Sequence, residues 1–132
     1  MKPEQISRAV TSNQQHVHEH LYRILQKHRQ CPFQKPFSKH TLEAFAFAKQ
    51  VIEKAHRPVI LDSGCGTGES VRFLARQYPN HLVLGIDKSL VRLQKNPYFQ
   101  AYSGENILIL RAEMFDFWRL LVQSGVQVDK HF

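Results

Sequence analysis

The chain has 132 residues, 42% of them hydrophobic, which suits one globular domain of modest size. Eighteen Lys and Arg outnumber 11 Asp and Glu, and the resulting formal charge of +7 is compatible with a nucleic-acid partner. Two cysteines exclude a disulfide framework, no apolar stretch is long enough for a membrane span, and a signal-peptide core is absent. These features predict a soluble cytoplasmic protein with reduced thiols.

The positive charge is concentrated at the N-terminal end. Residues 1–58 hold ten Lys or Arg against four acidic residues, a net charge of +6, whereas residues 59–132 have a net charge of +1. Basic side chains of this kind can neutralise RNA phosphates. The candidate phosphate contacts are Lys27, Arg29, Lys35 and Lys39. A solvated basic face without a nucleic-acid ligand is the alternative interpretation.

Two helices are predicted in this basic segment, at His16–His28 and from about Thr41 to Lys54. Ser38 is a candidate N-cap of the second helix. The segment from Cys31 to Phe37 contains two prolines and two phenylalanines, which is typical of an ordered loop with buried aromatic anchors. Residues 1–13 are expected to be mobile.

Three histidines occur at the start of the first predicted helix, at positions 16, 18 and 20. His16 and His20 would share a helical face, but no Cys pair or clear third ligand accompanies them. We therefore expect these side chains to be exposed to solvent and predict no metal site.

A buried strand followed by a glycine-rich loop is the most informative pattern in the chain. Val59–Leu61 predict the strand, Asp62 follows, and Gly64, Gly66 and Gly68 occupy alternate positions. Glycines let the backbone turn tightly and approach a ligand. The spacing G-x-G-x-G differs from the G-x-G-x-x-G fingerprint that holds a dinucleotide pyrophosphate. A tight turn in another kind of α/β protein is the alternative.

A second strand, Leu82–Asp87, completes a β-α-β unit and also ends in an acid. Asp87 lies 19 residues after Gly68, close to the separation of about 20 at which α/β folds place a ribose-binding carboxylate. Asp62, Glu69 and Asp87 would gather negative charge, which favours a ligand with ammonium and sulfonium groups over one with two phosphates. A solvated strand end is the alternative for Asp87.

A third strand is predicted at Ile107–Leu110, after a short helix that follows Ser89. Glu113 comes soon after this strand, where it could contact a ligand or favour the dipole of the next helix. That helix should end before Gly125, and the last residues resemble the entry to a fourth strand. Its predicted core-facing stripe consists of Phe115, Trp118, Leu121 and Val122.

Three of these motifs, Asp62 to Gly68, Asp87 and Ala112-Glu113, together resemble the cofactor motifs of class I S-adenosylmethionine-dependent methyltransferases. Within that superfamily, the chain is most similar to the tRNA (guanine-N7)-methyltransferase family, over roughly residues 12–132. The segments that carry this narrower likeness are Leu61–Ser70, Gly85–Asp87 and Asn106–Glu113. Glu113 stands where Asp is more usual in the superfamily.

The resemblance implies S-adenosyl-L-methionine as cofactor and tRNA as partner. It places Asp62 and the glycine loop near the methionine moiety, Asp87 at the ribose, and Glu113 with the Met114 amide at the adenine edge. The implied cofactor contacts also include Gly64, Cys65, Gly66, Gly68 and Lys88. No catalytic residue is implied, because guanine N7 offers a free lone pair and catalysis would come mainly from positioning.

Class I enzymes of this kind use a seven-stranded sheet, and the sequence accounts for three to four parallel strands. We therefore expect an N-terminal fragment of a Rossmann-like α/β domain, inactive alone. Residues 1–57 would form a basic helical extension, and residues 58–132 the N-terminal cofactor-binding half. An exposed sheet edge near the first strand predicts self-association. The alternatives are a methyltransferase acting on a protein or small molecule, and a non-catalytic cofactor-binding or RNA-binding remnant.

Overall fold

The computed structural model describes residues 12–32, 35–102 and 104–132. The chain divides into two units, one ending at Lys35 and the other covering Pro36–Phe132. Within the described ranges, no helix is both long enough and apolar enough to cross a membrane.

In its described residues, the first unit contains one helix, α1 (Leu21–Gln30), which begins later than the sequence predicts. His20 is the N-cap, and its backbone N–H donates to His18 Nδ1 at 3.2 Å, a local bond that competes with helical pairing. The three histidines therefore precede α1, and the premise that His16 and His20 share a helical face is wrong. The three lie at exposed positions. Mobility is predicted for residues 1–13, of which residues 1–11 lie outside the described part of the chain.

The second unit is built on a four-stranded parallel sheet with the spatial order β3-β2-β1-β4. The strands are β1 (Val59–Ser63), β2 (Leu82–Asp87), β3 (Ile107–Arg111) and β4 (Lys130–His131). Strand order reverses between β1 and β4, as in a doubly wound sheet. The predicted α/β class, a partial Rossmann-like sheet with helices, is confirmed.

The described part of this unit has four helices: α2 (Lys39–Ala55), α3 (Glu69–Gln77), α4 (Leu90–Leu93) and α5 (Met114–Ser124). They form two hydrophobic cores, because a parallel sheet is covered on both faces. The core containing residues of α2 and α5 includes Phe45, Val51, Leu61, Leu84, Leu108 and Phe117. The core containing residues of α3 and α4 includes Ile60, Val71, Leu74, Val83, Leu93 and Ile109.

Helix α5 faces the core with a different stripe from the one predicted. Phe117 and Leu121 are buried, one helical turn apart, whereas Phe115 is 58% exposed and Val122 82% exposed. The prediction of core packing is therefore wrong for Phe115 and Val122, while Trp118 is partly buried against the core. Apolar residues are so frequent in α5 that their spacing permits more than one buried face.

The loop before α2 is anchored by an aromatic side chain at one of the two predicted positions. Phe37 is half-buried, and the guanidinium carbon of Arg119 lies 4.1 Å from its ring centroid. Phe33, the other predicted anchor, lies outside the described residues. Ser38 is the N-cap residue of α2, as predicted, but its hydroxyl donates to Thr41 Oγ1 at 2.6 Å and caps no backbone N–H.

Candidate ligand site at the carboxyl edge of the sheet

The glycine loop folds back over the end of β2. The N–H groups of Gly64 and Cys65 both donate to the Ile86 carbonyl, at 2.8 and 3.0 Å. Gly64 and Gly66 have positive φ angles of 74° and 58°, and a Cβ at either position would meet no atom within 4 Å. At these two positions, therefore, backbone conformation favours glycine, and open space remains beside the loop.

Gly68 is constrained by space as well as by its φ of 86°. A Cβ there would lie 2.3 Å from Asn96 Nδ2 and 2.9 Å from Ile109 Cδ1. Asn96 in turn donates from Nδ2 to the Thr67 carbonyl at 2.9 Å and accepts the Tyr98 N–H at Oδ1. No sequence pattern predicts that Asn96 is buried against the loop, although the Asn-Pro pair at positions 96 and 97 is a turn signal.

Asp87 holds a fixed carboxylate at the end of β2. Its side chain is buried, with Oδ2 accepting the Gly66 N–H at 2.9 Å and Oδ1 accepting the Ser89 N–H at 2.8 Å. The alternative of a solvated strand end is therefore wrong. A carboxylate has about four acceptor positions, so each oxygen can accept another hydrogen bond.

Four backbone N–H groups of the loop donate hydrogen bonds to acceptors within this chain. Gly64 and Cys65 donate to one carbonyl, Gly66 donates to Asp87, and Gly68 donates to the Cys65 carbonyl at 3.0 Å. A loop that cradles phosphate must instead present free N–H groups to the anion. These four amides are therefore unsuited to phosphate binding.

Two buried carboxylates give the loop a negative environment. Asp62 is buried and accepts a hydrogen bond from the Ser70 hydroxyl. Burial, together with the negative charges of Asp62 and Asp87, raises the pKa of the Cys65 thiol to about 12, against a smaller lowering by a backbone hydrogen bond. Cys65 therefore remains a neutral thiol at physiological pH and is not an activated nucleophile.

Glu113 is fixed at the N-cap of α5. Its Oε2 accepts the Asp116 N–H at 2.9 Å, while its own N–H donates to the buried Thr41 Oγ1 at 2.9 Å. Asp116 also accepts the Ser38 N–H at 3.1 Å, so the start of α2 is bonded to the start of α5. Glu113 therefore interacts with the following helix by capping its N-terminus, which is one of the two roles predicted for it. Its second carboxylate oxygen can still accept hydrogen bonds from a ligand.

A cavity of about 330 Å³ lies beside these groups, within the size range of small-molecule sites. Five predicted cofactor contacts line it: Gly64, Asp87, Lys88, Glu113 and Met114. The other four support the loop without lining the cavity: Asp62, Cys65, Gly66 and Gly68. The remaining lining residues are not among the predicted ligand contacts: Ile86, Ser89, Arg92, Ala112 and Phe115.

The predicted phosphate contacts are divided between the two units. Lys27 and Arg29 lie in the last turn of α1, Lys35 ends the first unit, and Lys39 begins α2. All four occupy exposed positions, and Lys39 lies 3.9 Å from the carboxylate of Glu43. RNA binding by these residues remains a prediction. Over the described ranges, no cluster of three or more His, Cys, Asp or Glu residues could hold a metal ion.

No protein-family model matches the chain, and no curated protein matches it either. Among solved structures, it is similar to the plantazolicin methyltransferase BpumL in complex with a monoazolic desmethylPZN analog and SAH, at 22% identity and a TM-score of 0.33. That match covers 67% of this chain and 33% of the other. A complex with a pentazolic analog matches at 23% identity, a TM-score of 0.31, and coverages of 65% and 32%.

The chain thus spans about a third of the length of the solved structures it matches. At these TM-scores the similarity does not identify a function.

Proposed function

We propose that this chain binds S-adenosyl-L-methionine in the cavity beside the glycine loop and belongs to a methyltransferase that uses it. The supporting observation is the Asp87 carboxylate, which two backbone N–H groups hold at the rim of a cavity of about 330 Å³. The resemblance of Asp62 to Gly68, Asp87 and Ala112-Glu113 to class I motifs agrees with this choice.

The residues present fit an adenosyl ligand. Asp87 would accept hydrogen bonds from the ribose hydroxyls through the acceptor positions that Gly66 and Ser89 leave free. One carboxylate oxygen of Glu113 caps α5, and the other would accept a hydrogen bond from the adenine amino group. The Met114 N–H would donate a hydrogen bond to the adenine ring. The negative environment of Asp62 suits the ammonium group of the methionine moiety.

The internal bonds of the loop favour this ligand over a dinucleotide. Four loop amides are already paired within the chain, so a pyrophosphate would find few donors there. A sulfonium nucleoside needs no such cradle, because its charge is positive.

S-Adenosylmethionine supplies a methyl group that is already activated by its positively charged sulfur. The chain would contribute by binding and orienting the nucleoside, and well-oriented reactants gain effective molarities of about 10⁵ M or more. Guanine N7 in tRNA is the acceptor we propose, because N7 carries a lone pair and no proton. The family resemblance and the net charge of +6 in residues 1–58 support tRNA as the partner.

Cofactor binding can be tested by calorimetric titration of the 132-residue chain with S-adenosylhomocysteine. We expect Asp87→Asn to weaken binding at least tenfold, because hydrogen bonds to a charged acceptor contribute roughly 1.5–3 kcal/mol. Glu105→Gln, an exposed carboxylate outside the cavity, is the matched control and should bind like wild type. A folded wild-type chain that does not bind S-adenosylhomocysteine would contradict the proposal.

Because the chain is expected to be inactive alone, the acceptor is tested with a longer protein that contains it and with two tRNA transcripts, one containing guanosine and the other 7-deazaguanosine. Methyl transfer from labelled cofactor should occur to the first and not to the second, since carbon replaces the N7 nucleophile. Equal labelling of both transcripts would exclude guanine N7 as the acceptor. If RNA remains unlabelled while a protein or small molecule is methylated, the tRNA assignment is wrong.

A further inference from the structure

An exposed aromatic side chain stands at the rim of the cavity. Phe115 lines the cavity and is 58% exposed, although its neighbours Asp116 and Phe117 on the same helix are buried. The backbone before it is fixed, because Glu113 caps α5 and donates its N–H to Thr41. A flat apolar ring in this position offers a surface on which a purine can stack.

The orientation of Phe115 depends on Trp118. The two rings meet at a centroid distance of 5.3 Å and an interplanar angle of 79°, an edge-to-face arrangement. The indole Nε1–H of Trp118 donates to Ser63 Oγ at 2.9 Å. Ser63 ends β1, so this bond ties the helix carrying Phe115 to the sheet.

His131, on β4, contacts both Ser63 and Trp118. Its Nε2 lies 2.7 Å from Ser63 Oγ, and its ring meets that of Trp118 at 5.2 Å and 83°. Because an indole N–H can only donate, Ser63 Oγ accepts from Trp118 and can donate its own proton to a neutral His131. A protonated His131 would instead donate to the second lone pair of Ser63, so the bond exists in both states.

The Ser63 and His131 pair does not suit nucleophilic catalysis. The Trp118 N–H withdraws electron density from Ser63 Oγ, which weakens it as a nucleophile. In the described ranges, His131 bonds to no further side chain that would orient it as a base. Positioning is therefore the role that these contacts support.

We propose that Phe115 is the stacking wall for the base of an adenosyl ligand, and that His131 positions this wall through Ser63 and Trp118. The inference rests on the proposed cofactor function. It adds a coupling between the cavity and β4, a two-residue strand that pairs with β1 at Ile60 and Leu61. Since such coupling is reciprocal, ligand binding should also hold the end of β4 more firmly against β1.

The stacking wall can be tested by calorimetric titration with S-adenosylhomocysteine. Phe115→Leu should raise the dissociation constant about fivefold or more, the usual effect of losing aromatic stacking on a base, while Phe115→Tyr should retain wild-type affinity. Phe73→Leu is the matched control, because Phe73 is 65% exposed on α3 and does not line the cavity. Wild-type affinity in Phe115→Leu would overturn the stacking wall.

The positioning role can be tested with His131→Ala and His131→Gln. We expect His131→Ala to weaken S-adenosylhomocysteine binding about fivefold, within the usual range of coupling effects, and His131→Gln to recover affinity because its amide can bond Ser63. Lys130→Ala, on the same strand, should leave affinity unchanged. An equal loss in Lys130→Ala, or no loss in His131→Ala, would overturn the coupling.

Two further measurements separate coupling from simple destabilisation. Fluorescence of Trp118, the single tryptophan of the chain, should differ from wild type in His131→Ala before ligand is added. S-Adenosylhomocysteine should also slow exchange of the Phe132 amide proton, which donates to the Leu61 carbonyl at 2.8 Å. Wild-type binding without this protection would overturn the coupling alone, whereas no wild-type binding would overturn the proposed function and the inference together.

Discussion

The packing of the glycine loop requires that residue 68 has no side chain. Gly68→Ala would place a Cβ 2.3 Å from Asn96 Nδ2, in a backbone conformation with φ of 86°. We expect a loss of about 2–5 kcal/mol in the free energy of unfolding, the sum of overpacking and left-handed strain. Urea denaturation measures this loss.

Gly104→Ala is the matched control for that experiment. Gly104 has a φ of 88°, but a Cβ there would meet nothing within 4 Å. Backbone strain alone should cost about 1–2 kcal/mol. Equal losses in the two variants would show that the Asn96 contact does not constrain the loop.

Cys65 should be chemically inert, in contrast to Cys31. Burial, followed by the charges of Asp62 and Asp87, raises the Cys65 pKa from 9.0 to about 12, whereas Cys31 is exposed. Iodoacetamide at pH 8 should therefore modify Cys31 in the folded chain and both cysteines in urea, as read by mass spectrometry. Rapid modification of Cys65 in the folded chain would contradict its burial.

The raised pKa of Cys65 makes the free energy of unfolding depend on pH. Because the folded-state pKa lies above the unfolded value, the unfolded chain loses the Cys65 proton first. The contribution to stability is complete below pH 9 and is lost as the pH rises from 9 towards 12. Cys65→Ala should therefore show a shallower fall in stability above pH 9, measurable by thermal denaturation.

At the scale of helices and strands, the junction of α2 and α5 depends on one hydroxyl. Thr41→Val keeps the shape but removes the Oγ1 that accepts from Glu113 and Ser38. We expect a loss of about 1–3 kcal/mol, because the Glu113 N–H would lose its partner. Chemical denaturation should show that loss, and Thr41→Ser should retain most of the stability. If Thr41→Val and wild type unfold alike, the bond has no net stabilising effect.

The sequence predicts the strands well because each combines an apolar run with a nearby glycine, proline or acid. Both ends of β2 match the prediction. β1 extends two residues beyond its predicted end, and β3 extends one residue beyond its predicted end. The α5 stripe is less predictable, since Phe115, Phe117 and Trp118 are all aromatic and their spacing permits more than one buried face. The contacts of Thr41, Asn96 and His131 join segments distant in sequence, and no local pattern specifies such pairs.

At the scale of the whole molecule, the predicted RNA contacts should make binding sensitive to salt. Replacing Lys27 and Arg29 by Gln removes two exposed positive charges from α1. We expect weaker tRNA binding and a log–log salt slope that is shallower by about 1–2, because fewer counterions are released. Filter binding at several salt concentrations measures this slope, and an unchanged slope would exclude these residues as phosphate contacts.

Self-association through a sheet edge is a second proposal at this scale. The strand order leaves β3 and β4 at the two edges, and β4 has only two residues. Unpaired backbone groups at such edges can bind another chain. Light scattering over a micromolar concentration range should show a rising mean mass, and a constant monomer mass would contradict the proposal.

The paired amides of the glycine loop also determine how the site should behave before any ligand arrives. Gly64, Cys65, Gly66 and Gly68 donate within the chain, so the loop is already ordered and acts as a rigid template. Little conformational entropy should then be lost on binding. The amide protons of these four residues should exchange slowly in the free protein, and a ligand should add little protection.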